Sequence, residues 1–239
     1  MVRQGPLSHA GLAAGGPQAW RNLISQNLCG DFCNTIGQEP TFSSSGGLDI
    51  LIRASVREAQ MRIVVVGTSG AGKTSMAKSI ASMLNLPCIE LDRLHWGPNW
   101  EALSETNLEE FVRRVSAATS ADAWVSDGNY DVVRDLIWWR ATHLVWLDYS
   151  RAVVMYRVIK RSVARAVDQK ELWAGNREDW RDWRRPSHPI RWAWSTWRGR
   201  RLRFEHLLEG GQYRHLLVLR LRKPCDAASV VNQLRRTAA

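Results

Sequence analysis

A short glycine-rich segment constrains the fold of this 239-residue chain more than any other feature. Residues 67–74 read Gly-Thr-Ser-Gly-Ala-Gly-Lys-Thr and match G-x-x-x-x-G-K-[ST] at every fixed position. The apolar, β-branched run 63–66 before it predicts a buried parallel strand. Apolar residues recur at helical spacing through 75–84, so the segment lies at a strand-to-helix turn. In this context such a loop binds phosphate, and we predict a nucleoside triphosphate site.

Each residue type in this loop has a physical role in binding ATP and Mg²⁺. Gly67, Gly70 and Gly72 allow positive φ, so backbone N–H groups can converge on an anion at a helix N-terminus. Lys73 is predicted to reach the β- and γ-phosphates, and the Thr74 hydroxyl to ligate Mg²⁺. The other loop positions predicted to contact the nucleotide are Ser69, Ala71 and Ser75.

The rest of the chain after residue 61 predicts an α/β fold. Apolar strands alternate with amphipathic helices, which indicates a five-stranded parallel sheet with flanking helices. Ser104 is expected to be the N-cap of the first helix after the second strand. The predicted strands are 62–66, 87–91, 123–126, 143–147 and 215–221, and the predicted helices are about 104–118, 151–167 and 227–236.

Residues 1–60 differ in character from the remainder. They are rich in Gly, Pro, Ser and Gln, and only 48–56 shows a helical run. Met61 stands directly before the first predicted strand. We interpret 1–60 as a poorly structured extension ahead of a 61–239 domain, because such a composition buries little apolar surface. A regulatory N-terminal arm is the alternative.

Charge and cysteine content bound the possible partners and the compartment. The net charge is +10, with the excess concentrated in 151–223, which indicates an anionic partner: nucleotide, phosphorylated substrate or nucleic acid. Cys29 and Cys33 lack a second metal-ligand pair, so all four cysteines are expected to be free thiols. No run of 18 apolar residues occurs, and we predict a cytoplasmic protein with no membrane span.

Two predicted strands end in aspartate, at Asp127 and Asp148. Neither is followed by the glutamate that commonly polarises water in hydrolytic ATPases, which favours phosphoryl transfer to a bound acceptor. The chain also has no N-K-x-D guanine-reading motif and no L-S-G-G-Q. Asp127 is predicted to hold Mg²⁺ through water, with an Asp-Gly turn as the alternative. Asp148 is interpreted as a helix cap.

Several motifs carry a family resemblance that covers about 61–235. The stretch 124–131, WVSDGNYD, resembles the D-G-x-x-R stretch of adenylate kinase-like nucleotide kinases, and 144–165 resembles their fourth strand and the helix leading into the lid. With ELDRLHW (90–96) and ELWAGNRE (171–178), the chain most resembles the bacterial topology modulation proteins. The resemblance implies an adenylate kinase-like P-loop NTPase sheet, Mg-ATP, and a mobile basic helical lid at about 168–205.

The resemblance also suggests how an acceptor is handled. In related shikimate- and gluconate-type kinases an aspartate at the position of Asp92 orients or deprotonates the acceptor hydroxyl, and a plain helix cap is the alternative. Asn129, Tyr130 and Asp131 replace the family's Phe-Pro-Arg, so the arginine that would hold a nucleoside monophosphate is missing. Plain adenylate kinase activity is therefore not expected. His95 and Trp96 are interpreted as a packed surface pair rather than an acceptor pocket.

Arginines supply the remaining candidates. Arg157, Arg161 and Arg165 recur at four-residue spacing and share one helical face. That face is either a solvated stripe or part of a lid that closes on ATP, and the resemblance favours the lid. Arg161 is then catalytic, while Arg157 and Arg165 bind nucleotide. Weaker candidates of the same kind are Arg140 and Arg177.

Six tryptophans and many arginines interleave over 173–204. This composition suits stacking on nucleic-acid bases, and it equally suits a compact lid with buried tryptophans. No helix-turn-helix or zinc-finger pattern occurs, and we favour the lid. The predicted function is transfer of the ATP γ-phosphoryl group to an unidentified small acceptor. The alternatives are an ATP-dependent protein that interacts with nucleic acid, as in DNA topology modulation, and a nucleotide-binding protein with little turnover.

Overall fold

The computed structural model describes residues 60–168, 171–178, 183 and 188–238. All of them belong to the second of two compact units, residues 45–239. Residues 1–59 lie outside the described residues. They comprise all but the last residue of the predicted extension, including its helical run 48–56, Cys29 and Cys33. Cys88 and Cys225 are free thiols, as predicted.

A five-stranded parallel sheet organises the described residues, which confirms the predicted fold class. The strands lie in the order β2-β3-β1-β4-β5. The chain therefore places β2 and β3 on one side of the central β1 and then crosses to the other side with β4 and β5. In open parallel sheets the crevice at such a switch point, beyond the carboxyl ends of the strands, is where ligands bind. The strands are β1 Arg62–Gly67, β2 Cys88–Glu90, β3 Trp124–Asp127, β4 His143–Leu147 and β5 Leu217–Leu221.

Helices flank this sheet. Within the described ranges, single turns of 3₁₀-helix connect other elements at Pro98–Trp100, Trp173–Gly175 and Pro224–Asp226. The α-helices of the described ranges are α1 Lys73–Leu84, α2 Leu91–His95, α3 Leu103–Thr106, α4 Leu108–Ala118, α5 Arg134–Trp138, α6 Arg151–Asp168, α7 Pro189–Glu209 and α8 Ala227–Ala238.

One predicted helix is divided in the structure. The prediction of a single helix over 104–118 with Ser104 as N-cap is wrong, because Asn107 has non-helical backbone angles and separates α3 from α4. The side chain of Asn107 accepts a hydrogen bond of 3.0 Å from the backbone N–H of Glu110 and caps α4. Asparagine competes for backbone groups in this way, which favours it at caps over helix interiors.

The core lies on both faces of the sheet. Because side chains alternate along a strand, Ile63 and Val65 of β1 face the cluster built with α1, α6 and α8, while Val64 and Val66 face the other side. Val64 and Val66 share that side with Phe204 of α7. Burial on both faces explains why β1 is a continuous run of β-branched residues rather than an alternating one.

The described parts of the predicted lid pack on the domain. The indole Nε1 of Trp197 in α7 donates to the carbonyl of Tyr149 at 3.1 Å. The guanidinium of Arg151 lies 3.4 Å from the ring centroid of Trp194. Across the part of the chain that the structure describes, no helix combines the length and apolar character needed to cross a membrane.

Candidate functional site

The loop between β1 and α1 has the backbone conformation that its glycines predict. Gly67, Gly70 and Gly72 all have positive φ, and at Gly70 the angle is +86°. A Cβ at Gly70 would lie 2.8 Å from Cβ of Val158 and 2.9 Å from the carbonyl oxygen of Val154. Helix α6 therefore approaches the loop too closely for any side chain at this position.

Lys73 is the first residue of α1 and lies within this loop. Its Nζ donates to the carbonyl of Thr68 at 3.3 Å. Burial lowers the pKa of Lys73 to about 8, and the carboxylate of Asp92 offsets only part of that effect. The positive charge of Arg200 adds to the lowering. The loop thus holds a cation in a site that already contains other positive charge, an arrangement that a phosphate group would stabilise.

Thr74 and Asp127 meet at the start of α1. The Thr74 hydroxyl donates a hydrogen bond to Oδ2 of Asp127, which is 5% exposed at the end of β3. Burial raises the pKa of Asp127, and the hydrogen bond from Thr74 acts in the opposite direction. A hydroxyl and a carboxylate are oxygen donors that suit Mg²⁺. Among the described residues no group of three or more His, Cys, Asp or Glu could hold a metal, so an ion here would also need phosphate oxygens as ligands.

Asn129 fastens the loop to β3, a role that the sequence did not reveal. Its Oδ1 accepts from the backbone N–H of Gly67 at 3.3 Å, and its Nδ2 donates to the carbonyl of the same glycine. The side chain therefore satisfies both polar groups of the first loop residue. Because Asn129 follows Asp127 by two positions, it fixes the loop against the strand that carries the buried carboxylate.

Asp92 and Tyr130 form the other side of the site. The Tyr130 hydroxyl donates to Oδ1 of Asp92 at 2.6 Å. Asp92 lies in the first turn of α2, whose N-cap is Glu90, so the alternative of a helix cap is wrong for Asp92. Burial raises the pKa of Tyr130, and the negative charge of Asp92 raises it further. Tyr130 therefore stays protonated and holds the carboxylate in one orientation.

His95 is buried rather than part of a surface pair. It is 3% exposed, and its Nε2 lies 2.8 Å from the Ser104 hydroxyl oxygen. Its ring packs against Phe111 and Tyr130, with centroids 5.1 and 4.4 Å away. Burial lowers the pKa of His95, so the ring is neutral at neutral pH. The predicted packing of the pair is confirmed, since the rings of His95 and Trp96 lie edge to face with centroids 4.5 Å apart. The predicted surface location is wrong for His95, which α2 turns inward, whereas Trp96 lines the cleft.

The three arginines of α6 share one face, as their spacing predicts. Nη1 of Arg157 donates to the carbonyl of Ala71 at 2.9 Å, and Nη2 of Arg161 donates to the Ser69 hydroxyl at 3.4 Å. These two side chains therefore contact the loop rather than form a solvated stripe. Burial lowers the pKa of Arg161. Arg165 differs from them, because its Nη1 pairs at 3.2 Å with the buried Glu178.

Asn176 joins residues 171–178 to the loop after α2, another contact that the sequence did not reveal. Its Oδ1 accepts from the backbone N–H of Trp100 at 2.8 Å, and its Nδ2 donates to the carbonyl of Gly97 at 2.8 Å. The carbonyl of Arg177 accepts a hydrogen bond of 3.3 Å from Nε1 of Trp100. The segment therefore covers the side of the site where Asp92 lies.

One cleft of about 1680 Å³ brings most of these groups together, but Asp127 and His95 are not among the residues that line it. Its volume exceeds the roughly 300–1,000 Å³ of a typical small-molecule pocket, so it can hold a nucleotide and a second molecule together. The aromatic rings of Trp96, Trp100 and Trp173 contribute to one wall. The predicted and newly found residues that line the cleft include Ser69, Gly70, Ala71, Gly72, Lys73, Thr74, Ser75, Asp92, Asn129, Tyr130, Arg157, Arg161, Arg165 and Arg200.

Two residues considered from the sequence lie in other environments. Asp148 is not a cap: its Oδ2 accepts from Nη2 of Arg220 at 2.6 Å and lies 3.4 Å from Nη2 of Arg201. This ion-pair network links β5 and α7 to the end of β4. Arg140 precedes β4, at the amino end of the strands, and donates to the carbonyl of Ser120 at 3.2 Å. It is therefore remote from the loop, which follows the carboxyl end of β1.

Comparisons with known proteins agree with this fold at a coarse level. A family model described as "ATPase family associated with various cellular activities (AAA)" matches residues 63–124, about a quarter of the chain, from β1 through the loop to the start of β3. A search of curated proteins gave no significant match.

Several solved structures resemble this one at low sequence identity. They include a gluconokinase from Sinorhizobium meliloti 1021 (18% identity, covering 75% of this chain and 92% of that chain, TM-score 0.43). Another is shikimate kinase from Acinetobacter baumannii in complex with shikimate (16% identity, 77% and 95%, TM-score 0.43). At these values the likeness assigns neither family nor substrate. The topology modulation family stays a prediction, while the loop, the strand order and the matched family model together identify a P-loop NTPase fold.

Proposed function

We propose that this protein is an ATP-dependent phosphotransferase that moves the γ-phosphoryl group to a hydroxyl of a small molecule. The observation that carries the proposal is that the P-loop and the carboxylate of Asp92 face the same cleft. The negative charge of Asp92 raises the pKa of Lys73, so the proposed acceptor-binding and phosphate-binding groups lie close enough to interact. The cleft is large enough for both reactants.

On the nucleotide side, this chain's residues bind and neutralise the triphosphate. The backbone N–H groups of the loop and the ammonium of Lys73 bind the phosphates. The Thr74 hydroxyl and the Asp127 carboxylate would hold Mg²⁺, which would supply positive charge that neutralises the phosphates. Arg161, whose guanidinium reaches Ser69 in the loop, neutralises charge that develops on the transferred group.

On the acceptor side, Asp92 acts as the general base. Its carboxylate takes the proton from the acceptor hydroxyl as that oxygen forms a bond to the γ-phosphorus. The bond between the γ-phosphorus and the β–γ bridging oxygen breaks, and ADP leaves with that oxygen. Tyr130 holds the carboxylate through the 2.6 Å hydrogen bond, so the second carboxylate oxygen is left to face the acceptor.

The sequence and the described contacts support transfer over hydrolysis and over nucleic-acid binding. Neither Asp127 nor Asp148 is followed by the glutamate that commonly polarises water in hydrolytic ATPases. Among the described members of the Trp-Arg segment, Trp197 bonds to Tyr149 and Trp194 stacks with Arg151. The predicted burial of the tryptophans is wrong for Trp194, which is 57% exposed. No contact among the described residues favours a nucleic-acid surface, so the lid interpretation is preferred for this segment.

The experiment is ATP consumption by the full chain, screened against nucleosides, nucleotides, sugars and hydroxy acids. We expect one compound class to stimulate consumption. Asp92→Asn should lower that stimulated rate roughly 10²- to 10⁴-fold while the variant still binds nucleotide, and Lys73→Ala should abolish nucleotide binding. Glu109→Gln, at an exposed position on α4, is the matched carboxylate control.

Two outcomes would contradict the proposal. The first is phosphate release at the same rate whether or not any compound is added. The second is an Asp92→Asn variant that retains the full stimulated rate, because the proton would then have another acceptor.

A further inference from the structure

One side chain on the buried stripe of α7 is an arginine. Ala193, Trp197, Arg200 and Phe204 follow at i, i+4, i+7 and i+11, so they lie on one face of the helix. Ala193 and Phe204 are fully buried, and Trp197 packs against the core. The guanidinium of Arg200 therefore lies on the inward face of the helix, where the 3.6-residue period predicts an apolar side chain.

The guanidinium of Arg200 has no carboxylate partner among the described residues. Its Nη1 reaches only the carbonyl of Asn129, at 3.5 Å. The nearby Asp131 is already engaged, since it pairs with Nη1 of Arg134 at 3.2 Å and with Arg203. Burial lowers the pKa of Arg200, and the negative charge of Asp131, which is shared with two other arginines, offsets only part of that effect.

The hydrogen bond of Arg200 lies on the acceptor side of the cleft, while its charge also acts on Lys73. Arg157 and Arg161 bond to Ala71 and Ser69, which belong to the nucleotide-binding loop. Arg200 instead bonds to Asn129, and interacts electrostatically with Tyr130 in the same segment after β3. That segment also supplies the hydroxyl that holds Asp92.

We propose that the acceptor is an anionic hydroxy compound whose carboxylate or phosphate group is bound by Arg200. A guanidinium presents two parallel donors that match either anion, whereas water or a neutral hydroxyl leaves its charge uncompensated. The hydroxyl that receives the phosphoryl group then lies at Asp92 and Tyr130. This inference rests on the proposed function and adds the charge class of its substrate.

Binding to the full chain saturated with Mg-ADP tests this inference without requiring turnover. Isothermal titration would compare two matched series: glucose, gluconate and glucose 6-phosphate, and glycerol, glycerate and glycerol 3-phosphate. We expect an anionic member to bind more tightly than its neutral counterpart. Arg200→Gln should weaken that binding roughly 10- to 100-fold, and Arg200→Lys should weaken it less because it keeps the charge.

Two controls separate recognition from folding. Arg198→Gln, exposed on the same helix, should leave anion affinity unchanged. Arg200→Gln should still bind Mg-ADP, and its melting temperature should equal or exceed that of the unmodified chain, because it removes a half-buried charge that bonds to no carboxylate among the described residues. An arginine needed only for the fold would instead lower the melting temperature.

The outcomes separate the two anion sources and the two hypotheses. Binding of gluconate or glycerate supports a carboxylate acceptor, and binding of a phosphate ester supports a phosphorylated one.

Equal binding of neutral and anionic members, anion binding unaffected by Arg200→Gln, or no anion binding at millimolar concentration would overturn this inference. Stimulated ATP consumption with a neutral acceptor, unchanged in Arg200→Gln, would overturn it too and leave the phosphotransferase intact. Arg200-dependent anion binding without stimulated ATP consumption would keep the anion site and refute the proposed function.

Discussion

The depressed pKa of Lys73 predicts that nucleotide affinity depends on pH in a defined window. Without nucleotide, burial lowers this pKa from 10.5 to about 8. Bound phosphates bring negative charge to the ammonium and stabilise its charged form, so nucleotide binding raises the pKa. Above pH 8, therefore, nucleotide binding takes up a proton, while well below pH 8 Lys73 is charged in both states and takes up none.

The size of this effect follows from linkage between proton and nucleotide binding. Below pH 8 this group contributes no pH dependence. Above pH 8 the free protein loses the proton, and each further pH unit lowers the apparent affinity about tenfold until the pKa of the bound form is reached. Between about pH 7 and about pH 9 the dissociation constant for Mg-ADP should thus rise roughly tenfold.

Isothermal titration with Mg-ADP, in buffers of different ionisation enthalpy, measures both the affinity and the proton uptake. Lys73→Arg is the control, because a guanidinium stays charged throughout this range. We expect the pH dependence to disappear in Lys73→Arg, whatever its absolute affinity. A flat affinity for the unmodified chain, or an equal slope in the variant, would refute the assignment of the titrating group.

Three further substitutions test the phosphate side and the core. Asp127→Asn should match or exceed the melting temperature of the unmodified chain, because burial raises the pKa of Asp127 and its ionised form costs stability at neutral pH. The same variant should weaken Mg²⁺-dependent nucleotide binding roughly 10- to 100-fold, and unchanged Mg²⁺ dependence would contradict its role. Asn129→Ala should lower the free energy of unfolding in urea by about 1–3 kcal/mol, because both polar groups of Gly67 lose their partner. Phe204→Ala should lower the free energy of unfolding by about 3–5 kcal/mol. The control Leu202→Ala, at a position 55% exposed on the same helix, should change it by no more than about 0.5 kcal/mol. Equal losses in the two variants would mean that α7 does not pack as described.

The strands and the P-loop could be predicted because their signals are local. The run 63–66 and the glycine spacing at 67–72 need no distant partner to be interpreted, and β4, His143–Leu147, has the predicted bounds. Strand β5 begins two residues later than predicted. Leu216 instead bonds its backbone N–H to Tyr213 in a turn, and His215 stacks on Trp139 with ring planes 8° apart. An apolar run alone cannot show that its first residues are held by a turn.

The short helices were missed for a related reason. Helices α2 and α5 contain five residues each, about one and a half turns, which is too short for a 3.6-residue period to be recognised. Such helices are held by tertiary packing rather than by propensity. The missed α2 matters for the site, because it sets the direction of both Asp92 and His95.

The contacts that complete the site depend on residues far apart in the chain. Asn129 lies 62 positions from Gly67, Asn176 lies 76 positions from Trp100, and Arg200 lies 71 positions from Asn129. No local pattern encodes these pairs, since an asparagine after Asp-Gly is an ordinary turn residue. Arg200 is different, because its signal was present in the sequence as a cation within an apolar stripe. Burying an unpaired guanidinium costs stability, so a charge on the inward face of an otherwise regular amphipathic helix indicates a ligand more strongly than the surrounding surface arginines do.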